Sequence, residues 1–174
     1  YRHNGIDGWG IARAVVTNVR QGSVREGAST ITQQLARTVF LSQDRTITRK
    51  LKEAALALKL ERQLSKQQIL EQYLNYVYLG SGAYGVADAA WIYFSKTPDQ
   101  LNLPEAALIA GLPPAPSIYS PLVNPDLALK QRAVVLDRMK QERFITAGEA
   151  AQARNTALNL QPATPKYFNS AAPF

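Results

Sequence analysis

The stretch RTITRKLKEAALALK, residues 45–59, decides the fold class. Leu51, Ala54/Ala55 and Leu58 recur at the three-to-four spacing of an amphipathic helix, not at the alternation of a strand. The spacing predicts a helix over about residues 47–63, opened by the polar run 44–48 and turning that leucine–alanine stripe to the core. The same period recurs on both sides. Upstream, Trp9, Ala12, Val15/Val16 and Val19 predict a helix over residues 8–19, and Gly22 and Gly27 bracket a loop. Thr30 and Gln33 fit a capping box ahead of Ile31, Leu35 and Val39 on one face.

Downstream, Ser65 with Gln68 opens a helix carrying Ile69, Leu70, Tyr73 and Leu74. The glycines of YLGSGAYG, residues 78–85, predict a loop, and VADAAWIYF a short helix. Asn102, Pro104 and Glu105 start another helix, which Gly111 stops. The prolines of LPPAPSIYSPLVNP, residues 112–125, predict a stiff extended loop. A long helix follows over about residues 126–142, and Thr146 with Glu149 caps a last short one. No run of alternating strands appears, so the fold class is mainly α. The 174 residues suit one domain, with 46% hydrophobic and 19% charged residues arguing against disorder.

Composition narrows the chemistry. Without cysteine there is no disulfide, Cys-held zinc or thiol nucleophile. His3 is the one histidine, which excludes a multi-histidine metal site and reads as a structural hydrogen-bonding residue. No apolar run approaches the ~20 residues of a membrane span. The balance of 20 Lys+Arg against 13 Asp+Glu, a net of +7, favours an anionic partner: nucleic acid, a phosphate-bearing ligand or an anionic membrane surface.

The cations concentrate around the helix that opened the reading. Arg37, Arg45, Arg49, Lys50 and Lys52 stand against Asp44 alone, and Glu53 closes the group. Arg49, Lys50 and Glu53 share a helix face. Positive charge beside a carboxylate favours its charged form, which suits an electrostatic role better than general-acid work. The plainer reading is an exposed ion pair contributing about 0.3–0.5 kcal/mol. Guanidinium groups and the helix start at Ser29 could together cradle a phosphate or pyrophosphate, or the same run could face a nucleic-acid backbone. Phe40 is the one aromatic inside it, which weakens a single-stranded reading. GSGAYG lacks the GxxxxGK[ST] pattern of a phosphate loop.

EGASTITQQLART, TRKLKE and ILEQYLNYVYLGSGAYGV, in that order and spacing, resemble the peptidoglycan glycosyltransferases: the glycosyltransferase domain of class A penicillin-binding proteins and their monofunctional relatives. GLPPAPSIYSPLVNP matches a fourth segment, and the YFNSAAPF tail resembles the passage into the transpeptidase domain of bifunctional members, the type found in cyanobacteria. The resemblance implies a lysozyme-like helical domain over residues 1–160, with 161–174 a linker toward a transpeptidase domain. It implies polymerisation of lipid II into β-1,4-linked glycan strands, with inversion and release of undecaprenyl pyrophosphate.

By the same resemblance, Ser29, Thr30, Gln33 and Gln34 line the cleft. Arg37, where many members have Lys, joins Arg45, Arg49 and Lys50 as cations contacting the donor pyrophosphate. Glu53 matches the second carboxylate, which assists pyrophosphate departure, with room for a divalent cation, Mg or Mn, and no dedicated metal ligands in the chain. Asn75, Tyr78, Gly80 and Tyr84 match a segment of more structural role. Only His3, Asn4 and Gly5 match the first motif, whose general-base glutamate is expected upstream of Tyr1, and Asp7 is no substitute. The leading expectation is a processive peptidoglycan glycosyltransferase whose principal catalytic residue this stretch lacks, and the alternative is a module that binds lipid-linked substrate or its inhibitors without turnover. The implied partners are lipid II, the lipid-linked growing glycan, the cytoplasmic membrane surface and phosphoglycolipid inhibitors of the moenomycin type, with no nucleic acid. The implied location is the outer face of the bacterial cytoplasmic membrane, held by an N-terminal helix.

Overall fold

A computed structural model describes Gly5, residues 29–40 and residues 46–165. His3, the helix expected over 8–19, the 22–27 loop, Arg45 and the YFNSAAPF tail lie outside the described residues. The chain divides into two compact units, the first ending at Tyr76 and the second beginning at Val77. Among the described residues the secondary structure is helical, and the one β feature is an isolated bridge between Tyr78 and Tyr84. No helix among them is long and apolar enough to cross a membrane.

The first unit holds α1 (Ile31–Phe40), α2 (Ile47–Gln63) and α3 (Lys66–Tyr76). Each starts where the sequence placed a cap. Thr30 Oγ1 accepts the Gln33 amide at 3.2 Å while Gln33 Oε1 accepts the Thr30 amide at 3.3 Å. Thr46 Oγ1 accepts from the Arg49 amide at 3.1 Å, and Ser65 and Gln68 repeat the reciprocal pair at 3.2 and 2.9 Å. Helix α1 packs on both α2 and α3.

The buried faces differ from the periodic stripes. In α2 the buried residues are Glu53 and Ala57, whereas Leu51 is 68% and Ile47 84% exposed. The methyl of Ala57 permits close approach from Gly5, where an added Cβ would stand 3.2 Å from the Ala57 carbonyl oxygen. A leucine seam would hold neighbours farther off. In α1 the inward residues are Thr32, Gln33, Leu35 and Ala36, and Ile31 points outward. Polar residues win these places because each finds a partner: Thr32 donates to Glu61 Oε1 at 2.6 Å, and Lys66 pairs with Glu61 Oε2 at 2.6 Å. In α3, Ile69 and Tyr73 are buried and Leu74 is exposed.

The second unit holds α4 (Gly85–Phe94), α5 (Leu103–Ala110), α6 (Pro116–Tyr119), α7 (Pro125–Gln141) and α8 (Ala147–Asn155), with a 3-10 turn at Pro98–Gln100. Helix α4 is buried nearly all round, through Ala89, Ala90, Ile92, Tyr93 and Phe94. Ala107, Leu136 and Ala153 join α5, α7 and α8 in one core, flanked by Leu103, Val135 and Ile145. The capping boxes at Asn102–Glu105 and Thr146–Glu149 form as the sequence indicates. The proline-rich segment is not extended throughout. Pro116 sits in the first turn of α6, where its missing N–H costs nothing, so a single helical turn forms. Residues 161–164 return to α4: the Gln161 and Ala163 amides donate to the Tyr93 and Ile92 carbonyls at 2.9 and 3.1 Å, and the Trp91 indole donates to the Thr164 carbonyl at 3.0 Å.

Candidate active site

The first unit buries one carboxylate among cations. Glu53 is 1% exposed, and its carboxylate meets Arg49 Nε at 3.4 Å and Lys50 Nζ at 3.0 Å. Both cations come from the preceding turn of α2, so the 3.6-residue repeat alone brings the three groups together. The Lys50 ammonium also donates to Ser29 Oγ at 2.7 Å, which ties α2 to the residue just before the α1 cap. Lys50 is half exposed and Arg49 mostly buried, so Lys50 is the cation that a solvent-borne anion meets first.

The polar run before α1 divides into two roles. Thr30 and Gln33 are buried and committed to the cap, and Thr30 Oγ1 also donates to the Gly5 carbonyl at 2.7 Å. Ser29 and Gln34 are half-buried and carry the connection to the cations. Gln34 Nε2 donates to the Ser29 carbonyl at 3.4 Å, and its Oε1 accepts the Tyr73 hydroxyl at 3.2 Å. Burial pushes the Tyr73 hydroxyl above its ordinary range, and the nearby Arg37 charge pulls the other way. Arg37 itself is exposed at the last turn of α1.

Ser29, Gln34, Lys50, Arg49 and Glu53 are therefore joined, Thr30 and Gln33 support them from beneath, and Arg37 stands beside Tyr73. Arg45 lies outside the described residues. Two participants escaped the sequence reading as site residues. Tyr73 reads as one more apolar position of α3, and nothing in the local pattern singles out Glu61. The Thr32 hydroxyl and Tyr73 hydroxyl each point at a long-range partner, which no local pattern encodes.

Two groups in the site are buried without a hydrogen-bonding partner, Arg49 Nε and Glu53 Oε1; they face each other with a geometry too bent for a hydrogen bond. A buried ion pair left partly unsatisfied is costly. Among the described residues no three acidic or histidine side chains converge. The Glu53 carboxylate is already flanked by two cations, so the described residues do not by themselves form a divalent-cation cage.

The segment matched to the structural motif is shared between the units. Asn75 belongs to the first; Tyr78, Gly80 and Tyr84 belong to the second. There the Tyr78 and Tyr84 rings pack with centroids 5.0 Å apart, and Gly80 takes φ +87° against the Pro116 carbonyl. These are packing and backbone roles.

The family model described as Transglycosylase matches residues 1–140. The chain is 51% identical over 171 residues to penicillin-binding protein 1A of Neisseria gonorrhoeae, covering 98% of this chain and 21% of that protein. The corresponding values for penicillin-binding protein 1A of Escherichia coli (strain K12) are 51% over 171 residues, 98% and 20%. The crystal structure of penicillin-binding protein 1A from Haemophilus influenzae superposes with a TM-score of 0.54 at 32% identity, covering 76% of this chain and 16% of that one. The chain thus spans about a fifth of the length of the curated relatives it matches.

Proposed function

The chain belongs to the transglycosylase family, and from that membership we propose that it is a peptidoglycan glycosyltransferase domain of cell-wall synthesis. The observation that carries this reading is the Ser29–Lys50–Glu53–Arg49 cluster, a pair of cations held in place by a buried carboxylate. A domain of this kind polymerises lipid II. The acceptor's 4-hydroxyl attacks the anomeric carbon of the lipid-linked donor; the new C–O bond forms as the bond to pyrophosphate breaks, and the carbon inverts. The hydroxyl proton goes to the general-base glutamate of the family's first motif. The electron pair of the broken bond leaves on undecaprenyl pyrophosphate.

Negative charge grows on that leaving oxygen in the transition state. Fixed cations aimed at growing charge lower the barrier because they need not reorganise when it appears. Arg49 and Lys50 supply this charge, with Arg37 and Arg45 adding to the field. Glu53 assists departure by holding the two nearer cations in register. Ser29 and Gln34 offer neutral hydrogen-bonding groups that can touch sugar and phosphate without trapping product, while Thr30 and Gln33, committed to the cap, support them. The +7 net charge draws the domain to an anionic lipid surface carrying its pyrophosphate substrate, at the outer face of the cytoplasmic membrane. Phosphoglycolipid inhibitors would occupy the same cations through their phosphate.

Polymerisation of labelled lipid II in detergent tests the reading, using a chain extended upstream through the first motif. Glycan strands from that chain, and their loss in Glu53→Gln, are expected. A folded extended chain that makes no glycan would refute it.

A further inference from the structure

We infer that Tyr73 is a positioning residue, which sets the place of the Lys50 ammonium through the Gln34 amide and Ser29. The inference rests on the glycosyltransferase reading and adds a residue that the cation cluster does not itself contain. The path is continuous within the first unit. The Tyr73 hydroxyl donates to Gln34 Oε1 at 3.2 Å. That contact turns Gln34 Nε2 toward the Ser29 carbonyl, at 3.4 Å. Ser29 Oγ accepts from Lys50 Nζ at 2.7 Å, and Lys50 Nζ donates to Glu53 Oε2 at 3.0 Å.

Each link has a physical consequence. A primary amide has a donor end and an acceptor end, so a hydroxyl donor at one end selects its orientation. With the Tyr73 donor removed, Gln34 is free to turn, and its hold on the Ser29 backbone weakens. Ser29 precedes the capping residue and lies outside α1, so no helical backbone bond of α1 fixes it. Lys50 is a long, half-exposed side chain with several rotamers, and the Ser29 hydroxyl is what fixes its tip beyond the ion pair with Glu53. A cation that wanders offers less preorganised charge to a pyrophosphate. Tyr73 suits this task, because it is buried and its hydroxyl stays protonated, hence a donor, at neutral pH.

A double-mutant cycle separates positioning from general stability. In the extended chain that polymerises lipid II, Tyr73→Phe keeps the ring and removes the donor. It is expected to raise KM for lipid II about three- to tenfold, the scale of one net hydrogen bond. Ser29→Ala is expected to do the same. The pair should be non-additive, with the double variant within about twofold of the worse single one, because both cut one path. Tyr93→Phe, which removes a buried hydroxyl of the second unit, should be additive with Ser29→Ala. If Tyr73→Phe fails to fold, Gln34→Met breaks the same path and enters the cycle in its place. An active parent with an additive Tyr73–Ser29 cycle overturns the inference and leaves the proposed function standing. A folded parent without polymerisation overturns both.

Discussion

Lys50 stands three residues before Glu53, and its ammonium lies 3.0 Å from the Glu53 carboxylate and 2.7 Å from Ser29 Oγ. One cation therefore binds two elements, the buried face of α2 and the start of α1. Glu53→Gln keeps shape and burial and removes the charge that holds Arg49 and Lys50. Polymerisation of lipid II by the extended chain is expected to fall about 10²-fold or more, the scale of losing one preorganised electrostatic contributor. Circular dichroism should show the helices intact.

Arg49 and Lys50 differ in what they can replace. Arg49 is mostly buried with its Nε facing Glu53, and a lysine there cannot present a planar fork. Arg49→Lys is expected to weaken binding of a pyrophosphate-bearing lipid nearly as much as Arg49→Ala. Titration of a labelled lipid pyrophosphate in detergent checks this; full affinity in Arg49→Lys would mean that charge alone matters at this position.

Gly80 cannot be replaced cheaply. It adopts φ +87°, and a Cβ there would lie 2.4 Å from the Pro116 carbonyl oxygen. Gly80→Ala combines left-handed strain with a clash against backbone, so a loss above about 1 kcal/mol is expected. Chemical denaturation followed by tryptophan fluorescence reads it, since Trp91 lies in the same unit.

Arg132 is buried in α7, and its Nη2 donates to the Arg154 and Thr156 carbonyls at 2.9 and 2.8 Å, at the C-terminal end of α8. Burial lowers its proton affinity from the ordinary arginine range. Arg132→Met keeps the volume and leaves both carbonyls without that donor. About 1–3 kcal/mol of stability should be lost, measured by denaturant midpoint.

Acid weakens the second unit through two surface carboxylates. Asp137 is held below the usual carboxylate range chiefly by its hydrogen bond from Arg154 at 2.7 Å, and Glu149 by the Thr146 backbone amide at 2.7 Å. A carboxylate depressed in the folded state stabilises above its unfolded value and loses that contribution as pH falls through its folded value. Thermal midpoints should thus hold at neutral pH and decline below about pH 4. Replacing both, with Asp137→Asn and Glu149→Gln, should flatten that decline. An unchanged slope would show that other groups carry the acid response.

Local pattern reached far into this protein. Caps at Thr30, Thr46, Ser65, Asn102 and Thr146 follow from short-range hydrogen bonding, so residues a few places apart suffice to predict where helices start. The approach of Arg49, Lys50 and Glu53 follows equally from helical spacing. Which face of α2 is buried did not follow. Periodicity favoured Leu51 and Leu58, yet the packed side carries Glu53 and Ala57, because a small residue admits close neighbours and the carboxylate is paired by its own helix.

Sequence by itself thus determined the helical class, the helix starts and the approach of Arg49 and Lys50 to Glu53, all set by interactions between residues a few places apart. Tertiary structure alone decided that Ser29 meets Lys50, that Tyr73 reaches Gln34 across 39 positions, and that Thr30 and Gln33 turn inward to support the site. Those contacts join residues distant in sequence. Their free energy depends on how α1, α2 and α3 pack, a property no single helix carries.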